Sequence, residues 1–515
     1  MPDVGVAGVL RPRRGLVEES GPLPDGTDGW AFGALKGPVA SYRRSVRVDA
    51  CSDGTSTIEQ VVEYVLNAPV VGWLLRLPAR RQLGAIRPDD HPPWWGPPDV
   101  LDARAWAALG GLIALASVIG YLGTLLTQTI TYSAKEFHQG TAAEGVALAV
   151  VRCDIVLSLG LITIADRRGR RVVALGGTAI GCALTALGAL APSLAWLAAS
   201  QVVARSFVTA ATIAAGVLAA ESMPRGARAW AFGVGAMAGA IGAGVAVAAL
   251  PVAGLDRRAW RLLYVAALGW LAVVAVARRH LPESRRFLAQ HGAREPASVR
   301  RGRLVLLAVA SFLLQMFVTP SSEFLNEYLR RERHFSPGRI ALFAFVTVPP
   351  GAIGIVVGGR LADTHGRRKV AVVAVGGAAL GAVIGYSIGG WPMWIAAATA
   401  ALTGAAVTPA LTVYGPELFA TAGRGTANGI ITAAGRAGAV IGLIAVGLVS
   451  QSHGHFGVAL ALVAIGPLAL IVLIVRAFPE TARRSLEDLN PVDRDSAVPQ
   501  VQTTEPPIDS GESLR

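Results

Sequence analysis

Five ionisable side chains stand where the surrounding sequence is almost purely apolar: Arg152, Asp154, Arg205, Glu323 and Arg436, with Glu144 and Glu221 near the ends of such stretches. A charge in hydrocarbon costs ~3 kcal/mol or more unless it is paired or wetted. A guanidinium favours the ionised form of a nearby acid, whereas an apolar wall favours the neutral form, so exchange of partners moves protons. This is chemistry for carrying a proton or an anion rather than for breaking bonds. Asp154 precedes Asp166 by twelve residues, about 18 Å of helix, which places Asp154 and Arg152 near mid-depth of a bilayer. Arg205, sixteen residues before Glu221, and Arg436, about a dozen into its own apolar run, fall at similar depth. Asp154 is expected to pair with Arg152 or Arg205, and two roles are open for it: a protonation site, or one member of a structural ion pair. Arg436 is open to binding an anionic solute or to a static helix contact. Glu323 is open to lining a mouth or to simple solvation. Gln315 offers an amide to a neutral polar solute. The arginines outnumber the carboxylates in this set, which tilts it towards an anionic or polar metabolite.

These residues need elements that cross a membrane. The 515 residues are 53% hydrophobic and only 16% charged, against about 25% charged in ordinary soluble domains. Of 34 acidic residues, thirteen fall in 1–104 and eight in 478–515, so the long middle is nearly free of them. From Ala105 onward, apolar runs of bilayer-crossing length alternate with short polar turns. They read as twelve spans: 105–131, 143–164, 172–190, 194–220, 229–250, 260–277, 304–326, 339–359, 370–389, 391–415, 425–449 and 456–477. With both termini cytoplasmic, 36 of the 47 Lys and Arg lie on the inside, counting those at span ends with the adjoining loop. That bias is what sets membrane orientation. It also accounts for the net charge of +13 without nucleic acid. No signal peptide is read at Met1–Leu16. Cys51, Cys153 and Cys182 form no pairing pattern. A Walker A loop, an HExxH pair, a Cys/His cluster and a GxSxG elbow are all missing from the sequence, so no ATP-driven pump, metal, cofactor or hydrolase chemistry is expected.

An internal repeat organises the spans. Asp166-Arg167-Arg168-Gly169-Arg170-Arg171 returns as Asp363-Thr364-His365-Gly366-Arg367-Arg368. Glu221-x-x-Pro224-x-x-x-Arg228 returns as Glu417-x-x-Ala420-x-x-x-Arg424, and Pro282-Glu283-Ser284 as Pro479-Glu480-Thr481. All three recur 196 or 197 residues apart. The fold expected is therefore an all-α membrane protein of two pseudo-symmetric six-helix bundles, 105–278 and 304–477, joined by a cytoplasmic loop at 279–303. Repeats of this kind place a solute site between the halves near mid-membrane.

These motifs resemble the major facilitator superfamily, within it the sugar-porter-like branch, over about 105–490. Gly359-Arg360-Leu361-Ala362-Asp363-x-x-Gly366-Arg367-Arg368 is similar to the superfamily's loop motif. Tyr414-Gly415-Pro416-Glu417-Leu418-Phe419-x-Thr421-x-x-Arg424-Gly425 resembles the sugar-porter signature, as do Leu281-Pro282-Glu283-Ser284 and Phe478-Pro479-Glu480-Thr481. Arg205 matches the fourth-span Arg that the family ties to proton or solute coupling. Leu122 stands where proton-coupled sugar porters place an Asp after Gly-Tyr, and Gln315 stands without a paired Gln, so sugar specificity stays open. The resemblance implies a secondary transporter, not an enzyme, working as a monomer in the plasma (inner) membrane on a small-molecule solute, with protons as possible co-substrate. It further implies a gate made by Asp166, Arg167, Gly169, Arg170, Glu221, Arg228, Glu283, Asp363, Gly366, Arg367, Glu417, Arg424 and Glu480. A transport-silent sensor on the same fold and efflux of drug-like compounds are the alternatives.

The tails are less informative. Residues 1–104 are read as a cytoplasmic tail, disordered over most of 1–54. An amphipathic helix is expected near 57–67, from a Thr57–Gln60 capping box and the spacing of Ile58, Val61, Val62, Val65 and Leu66. The stretch Trp73–Leu77 and the pair Trp94-Trp95 lie either in the membrane interface or against the bundle. Residues 478–515 form a cytoplasmic C-terminal tail, disordered from 491.

Overall fold

The computed structural model describes residues 3–25, 29–51, 55–68, 72–86, 92–290, 300–453 and 455–490; the expectation for 491–515 lies outside them. Eleven helices among the described residues are long and apolar enough to cross a membrane: Ala103–Glu136, Arg170–Leu190, Leu194–Ser222, Arg228–Ala253, Trp260–His280, Arg301–Glu323, Gly338–His365, Arg367–Ser387, Trp391–Leu418, Arg424–Ser450 and Phe456–Ala477. They correspond to the first span and to the third through twelfth. The second span is interrupted. It runs as Thr141–Val151 and Asp154–Arg168, with the break at Arg152-Cys153. The break puts Asp154 in the first turn of a new helix, where free N–H groups and the helix dipole favour a carboxylate.

The spans form two halves, and the same crossings are built twice. Gly242 lies so close to Ser117 that a Cβ would press on the Ser117 backbone, and Gly438 meets Phe312 in the same way. Small residues at such positions let helices approach where no hydrophobic effect drives them together. The halves meet where the fifth span packs on the eighth: Gly359 lies against the Ala229 and Trp230 backbone, and Gly233 against Ile355.

The N-terminal segment corrects two expectations. Residues 18–66 contribute a five-stranded antiparallel sheet: β1 Glu18–Glu19, β2 Leu23–Asp25, β3 Gly29–Lys36, β4 Val39–Ala50 and β5 Ser56–Leu66. The strand order is β1-β3-β4-β5, with β2 also on β3. Most of 1–54 is thus ordered rather than disordered, and 57–67 is a strand rather than an amphipathic helix. The reason lies in two periods that coexist in one string. Ile58, Val62 and Leu66 fit a helical stripe, but with Gln60 and Tyr64 they also fit alternation by two. The β-branched run favours the strand. In the sheet Val61 and Val65, which a helix would place on the same face as Ile58, point away and are 51% and 58% exposed. Gln60, read as a cap, accepts a hydrogen bond from Arg13 Nη2 at 2.7 Å.

A small core of Val9, Phe32 and Val46 is reinforced by the buried pair Arg44–Glu19 at 2.6 Å. Burial and the neighbouring Glu19 carboxylate push the Tyr42 hydroxyl pKa up, so Tyr42 donates to Glu19 Oε1 as a neutral phenol at 2.5 Å. The helix Gly72–Gly84 turns Leu75, Ala79 and Leu83 to one side. Together with Leu16 and Val17 they pack on Trp106, Leu109, Met223 and Trp230 of the first half. Trp95 joins this contact, whereas Trp94 is exposed. Packing against the bundle is therefore the arrangement observed for this helix.

The loop after it reaches across both halves. Trp230 of the fifth span donates from Nε1 to the Trp95 carbonyl at 3.2 Å. Arg360 of the eighth donates to the carbonyls of Pro93, Gly96 and Pro92 at 2.6, 2.8 and 3.0 Å. Hydrogen bonds from a charged donor contribute about 1.5–3 kcal/mol each. Arg360→Ala is expected to free this hook, raising protease cleavage around Trp94 about tenfold or more, since each ~1.4 kcal/mol lost is a factor of ten in opening. Mass spectrometry of limited digests reads the outcome.

Candidate functional site

At the face that carries the sheet, the repeated motifs form two buried quartets. Asp363, fully buried, accepts from the Trp230 backbone N–H at 2.9 Å and from Arg367 at 3.1 Å. Asp166 accepts from the Gly425 and Thr426 backbone N–H groups at 3.1 and 2.9 Å, and from the Thr426 hydroxyl at 2.9 Å. Each aspartate thus caps the first turn of the fifth helix of the opposite half, where four N–H groups lack partners. The glutamates complete the pattern. Glu417 pairs with Arg228 of the other half at 3.0 Å and with Arg367 of its own. Glu221 pairs with Arg424 of the other half and lies 3.9 Å from Arg170 of its own. Each quartet holds two carboxylates and two guanidiniums and is neutral. Such burial is tolerable only where each charge has an opposite partner, as each has here.

Glu283 and Glu480 act one layer out. Glu480 accepts from the backbone N–H of Arg367 and Arg368 at 3.0 and 3.2 Å, and Glu283 accepts from that of Arg171 at 3.1 Å. Each caps the helix that begins after the motif glycine. Gly169 and Gly366 have φ of +112° and +103°, which a Cβ resists. A Cβ on Gly366 would also lie 2.8 Å from Glu480 Oε2. Gly366→Ala is accordingly expected to destabilise the protein by about 1–3 kcal/mol, read as a lower thermal midpoint, whereas the exposed Gly338→Ala is expected to leave it unchanged.

Arg167, included in the expected gate, is exposed and makes no ion pair among the described residues. Arg170 is instead buried: it donates to the Thr421 carbonyl across the halves and stacks on Phe287 at 4.8 Å. A further link joins Arg286 to Glu487 at 2.8 Å. Half-burial pushes the Glu487 carboxyl up, but the charge and hydrogen bond of Arg286, a backbone hydrogen bond and the charge of Arg228 together outweigh it, and the net shift is down. Its contribution to stability is therefore present above the ordinary Glu range and lost as pH falls through the lowered value. So many cross-half bonds close this face.

The mid-depth charges follow a different pairing from the one expected. Asp154, 1% exposed, pairs with Arg436 of the eleventh span, not with Arg152 or Arg205. Spacing along one span ranks neighbours by depth and is silent about which half faces them. The Thr209 hydroxyl donates to Asp154 Oδ2 at 2.7 Å and accepts from Arg436 Nη2 at 3.0 Å, a bridge the sequence did not single out. Arg152, freed by the helix break, reaches Glu323 of the seventh span at 3.6 Å, and its carbonyl lies 3.4 Å from Arg436 Nη1. Arg205 is half-buried and has no carboxylate partner among the described residues. Gln315 lines a cavity of about 480 Å³ in the second half with Ser311, Ser322, Thr347, Thr408 and Tyr386. The position of a Cβ on Gly435 lies 2.4 Å from Ser311 Oγ and 3.3 Å from Gln315 Cγ, so the cavity wall adjoins the Arg436 turn.

Residues 304–498 match the model of the Major Facilitator Superfamily. Over about three quarters of the chain the fold agrees with solved transporters. It superposes on the proton:xylose symporter XylE with a TM-score of 0.66 at 15% identity, over 76% of this chain and 99% of that one. The family match thus covers the second half of the chain, and over the rest the likeness is one of fold. Other superfamily folds are similarly close. The fucose:proton symporter FucP of E. coli aligns with a TM-score of 0.58 at 14% identity, over 71% of this chain and 97% of that one. The human organic anion transporter MFSD10 aligns with a TM-score of 0.58 at 14% identity, over 72% and 99%. No curated protein matches the sequence. Eleven membrane-crossing helices among the described residues and this fold are those of a multi-pass membrane protein. Identities this low establish the fold alone, so the solute has to be argued from the residues.

Proposed function

We propose that this protein moves a small polar or anionic metabolite, a sugar or an organic acid, across the plasma membrane by alternating access coupled to protons, with both termini cytoplasmic. The observation that carries this reading is the Asp154–Arg436 bridge between the halves, set beside Arg205, which has no carboxylate partner among the described residues. When an anionic group of the solute takes Arg436, Asp154 is left buried and unpaired, and it then takes up a proton; release of the solute restores the pair and expels the proton. Arg152, Arg205 and Glu323 shape the field around this exchange, and Gln315 orients polar groups in a cavity whose size suits a metabolite. Similar folds include two proton-coupled sugar symporters and an organic anion transporter, which supports both solute classes. The doubled quartets supply the switching element: neutral, buried sets of charge-assisted bonds that close the sheet-bearing face in one state and part in the other.

Purified protein in proteoliposomes tests this. A solute found by thermal-shift screening, where ligands of the folded state raise the midpoint, should accumulate when an inward proton gradient is imposed and should exchange without one. Solute binding with neither uptake nor exchange would identify a sensor instead.

A further inference from the structure

A second polar crevice, about 600 Å³, opens where the N-terminal sheet meets the closed face. Its walls come from five parts of the chain: Lys36 at the end of β3, Arg104 at the start of the first span, Arg225 between the fourth and fifth spans, Arg285 after the sixth, and Glu487 near the C-terminus. Its carboxylates are already engaged. Asp102 caps the first span through Ala105 N–H at 2.7 Å, Glu221 holds Arg424, Glu283 holds the Arg171 N–H, and Glu487 holds Arg286. Among the cations, Lys36 pairs with Glu18 at 2.9 Å, Arg286 with Glu487 and Arg228 with Glu417, but three arginines have no carboxylate partner among the described residues. Arg225 and Arg285 are exposed and have no ion-pair partner among the described residues, and Arg104 reaches only the Glu283 carbonyl, at 2.9 Å. Arg228, 2% exposed, also lines the crevice, and its Nε has no hydrogen-bond partner among the described residues. What remains is a pocket with unspent positive charge and planar donors. Guanidinium forks match the oxygens of phosphate bidentately.

We propose that this crevice binds a phosphate-bearing anion, either a soluble phosphorylated metabolite or the headgroup of an anionic lipid, and that occupancy holds the sheet-bearing face closed. The second clause rests on the alternating-access reading; the first does not. The crevice exists only while Arg225 and Arg285 of the first half and its connecting loop stand beside the C-terminal segment that Arg286 and Arg228 hold through Glu487 and the Arg484 carbonyl. A ligand that spans these walls binds the closed arrangement better than the open one, and only such a difference shifts a conformational equilibrium.

The test uses the full chain. Thermal midpoints are measured with pyrophosphate at constant ionic strength, and separately in nanodiscs of phosphatidylcholine with or without phosphatidylglycerol. Wild type, R225A/R285A and the charge-preserving R225K/R285K are compared. The site predicts a saturable rise in wild type whose half-saturation moves at least about tenfold in R225A/R285A, the loss of ~1.4 kcal/mol, and is largely restored in R225K/R285K. A response to pyrophosphate assigns a soluble ligand; a response to phosphatidylglycerol alone assigns a lipid. Equal responses in wild type and R225A/R285A overturn the site. Binding that leaves proteoliposome uptake unslowed overturns the effect on the gate, and absence of any uptake, with binding intact, overturns the transport reading and leaves the site standing.

Discussion

Asp154→Asn should uncouple transport: proton-driven accumulation falls by about 100-fold or more, the equivalent of ~2.7 kcal/mol or more of coupling, while solute exchange at equal concentrations stays within about threefold of wild type. Asparagine keeps an oxygen for the Thr209 hydroxyl, which donates to Asp154 at 2.7 Å, so the local geometry survives. What it removes is the titrating group and its attraction for Arg436. The guanidinium left behind is 31% exposed and still has Thr209 Oγ1 at 3.0 Å, so the variant should fold. Arg436→Ala is the harsher change. It strands a carboxylate that is 1% exposed, and breaking a buried pair from one side typically costs about 3–5 kcal/mol. The double variant Asp154→Asn with Arg436→Ala removes both charges and should be more stable than Arg436→Ala alone, a non-additivity that identifies the pair. Uptake measured against external pH decides the matter. If Asp154→Asn keeps the wild-type pH dependence, the proton is carried elsewhere and the coupling role is lost.

Why that pairing escaped the sequence, while the quartets did not, is a matter of what repetition records. Three motifs at one offset mark Asp166 with Asp363, Glu221 with Glu417, and Arg228 with Arg424 as equivalent positions. Equivalence then passes into geometry: each half offers the other the same aspartate cap and the same Glu–Arg link. Asp154 and Arg436 have no such echo. The residue 197 positions after Asp154 is Gly351, in the eighth span, and the residue 196 positions before Arg436 is Ala240, in the fifth. Neither carries a charge. The asymmetry is informative in its own right: matched charges serve the closed face, and unmatched ones stand at mid-depth. The sheet was missed for another reason. Amphipathic periodicity is ambiguous over eleven residues when valines fall at both the helical and the alternating positions, and only pairing with β4, from Asp49↔Thr57 to Val39↔Leu66, resolves it. Arg360 shows the same limit. Read as part of a loop motif, it also binds the hook at Pro92–Gly96, a partner more than 260 residues away in the chain that local sequence does not indicate.

Asp363→Ala should slow turnover by about 10- to 100-fold while solute affinity changes less than about threefold, because the loss of ~1.4–2.7 kcal/mol from one state shifts a two-state equilibrium by that factor. Asp363 spends its two oxygens on the first turn of the other half's fifth helix and on Arg367. Alanine removes the cap, worth about 0.5–2 kcal/mol, and leaves its neutral quartet with a surplus positive charge. The energy is lost from the closed arrangement alone, since an open face solvates both partners. Asp363→Asn separates the two contributions: it retains a capping oxygen and loses the charge, so it should fall between wild type and Asp363→Ala. Asp166→Ala should act in parallel, because Asp166 makes the equivalent contacts with Gly425 and Thr426. Spin labels on the exposed Arg167 and Arg483 positions, one on each half, report the face directly. Wild type should give a short, narrow distance distribution, and both variants should add a longer component that grows in the double variant. Slower turnover with unchanged distances would assign Asp363 to folding rather than to the gate, and unchanged turnover would remove the quartets from the transport cycle altogether.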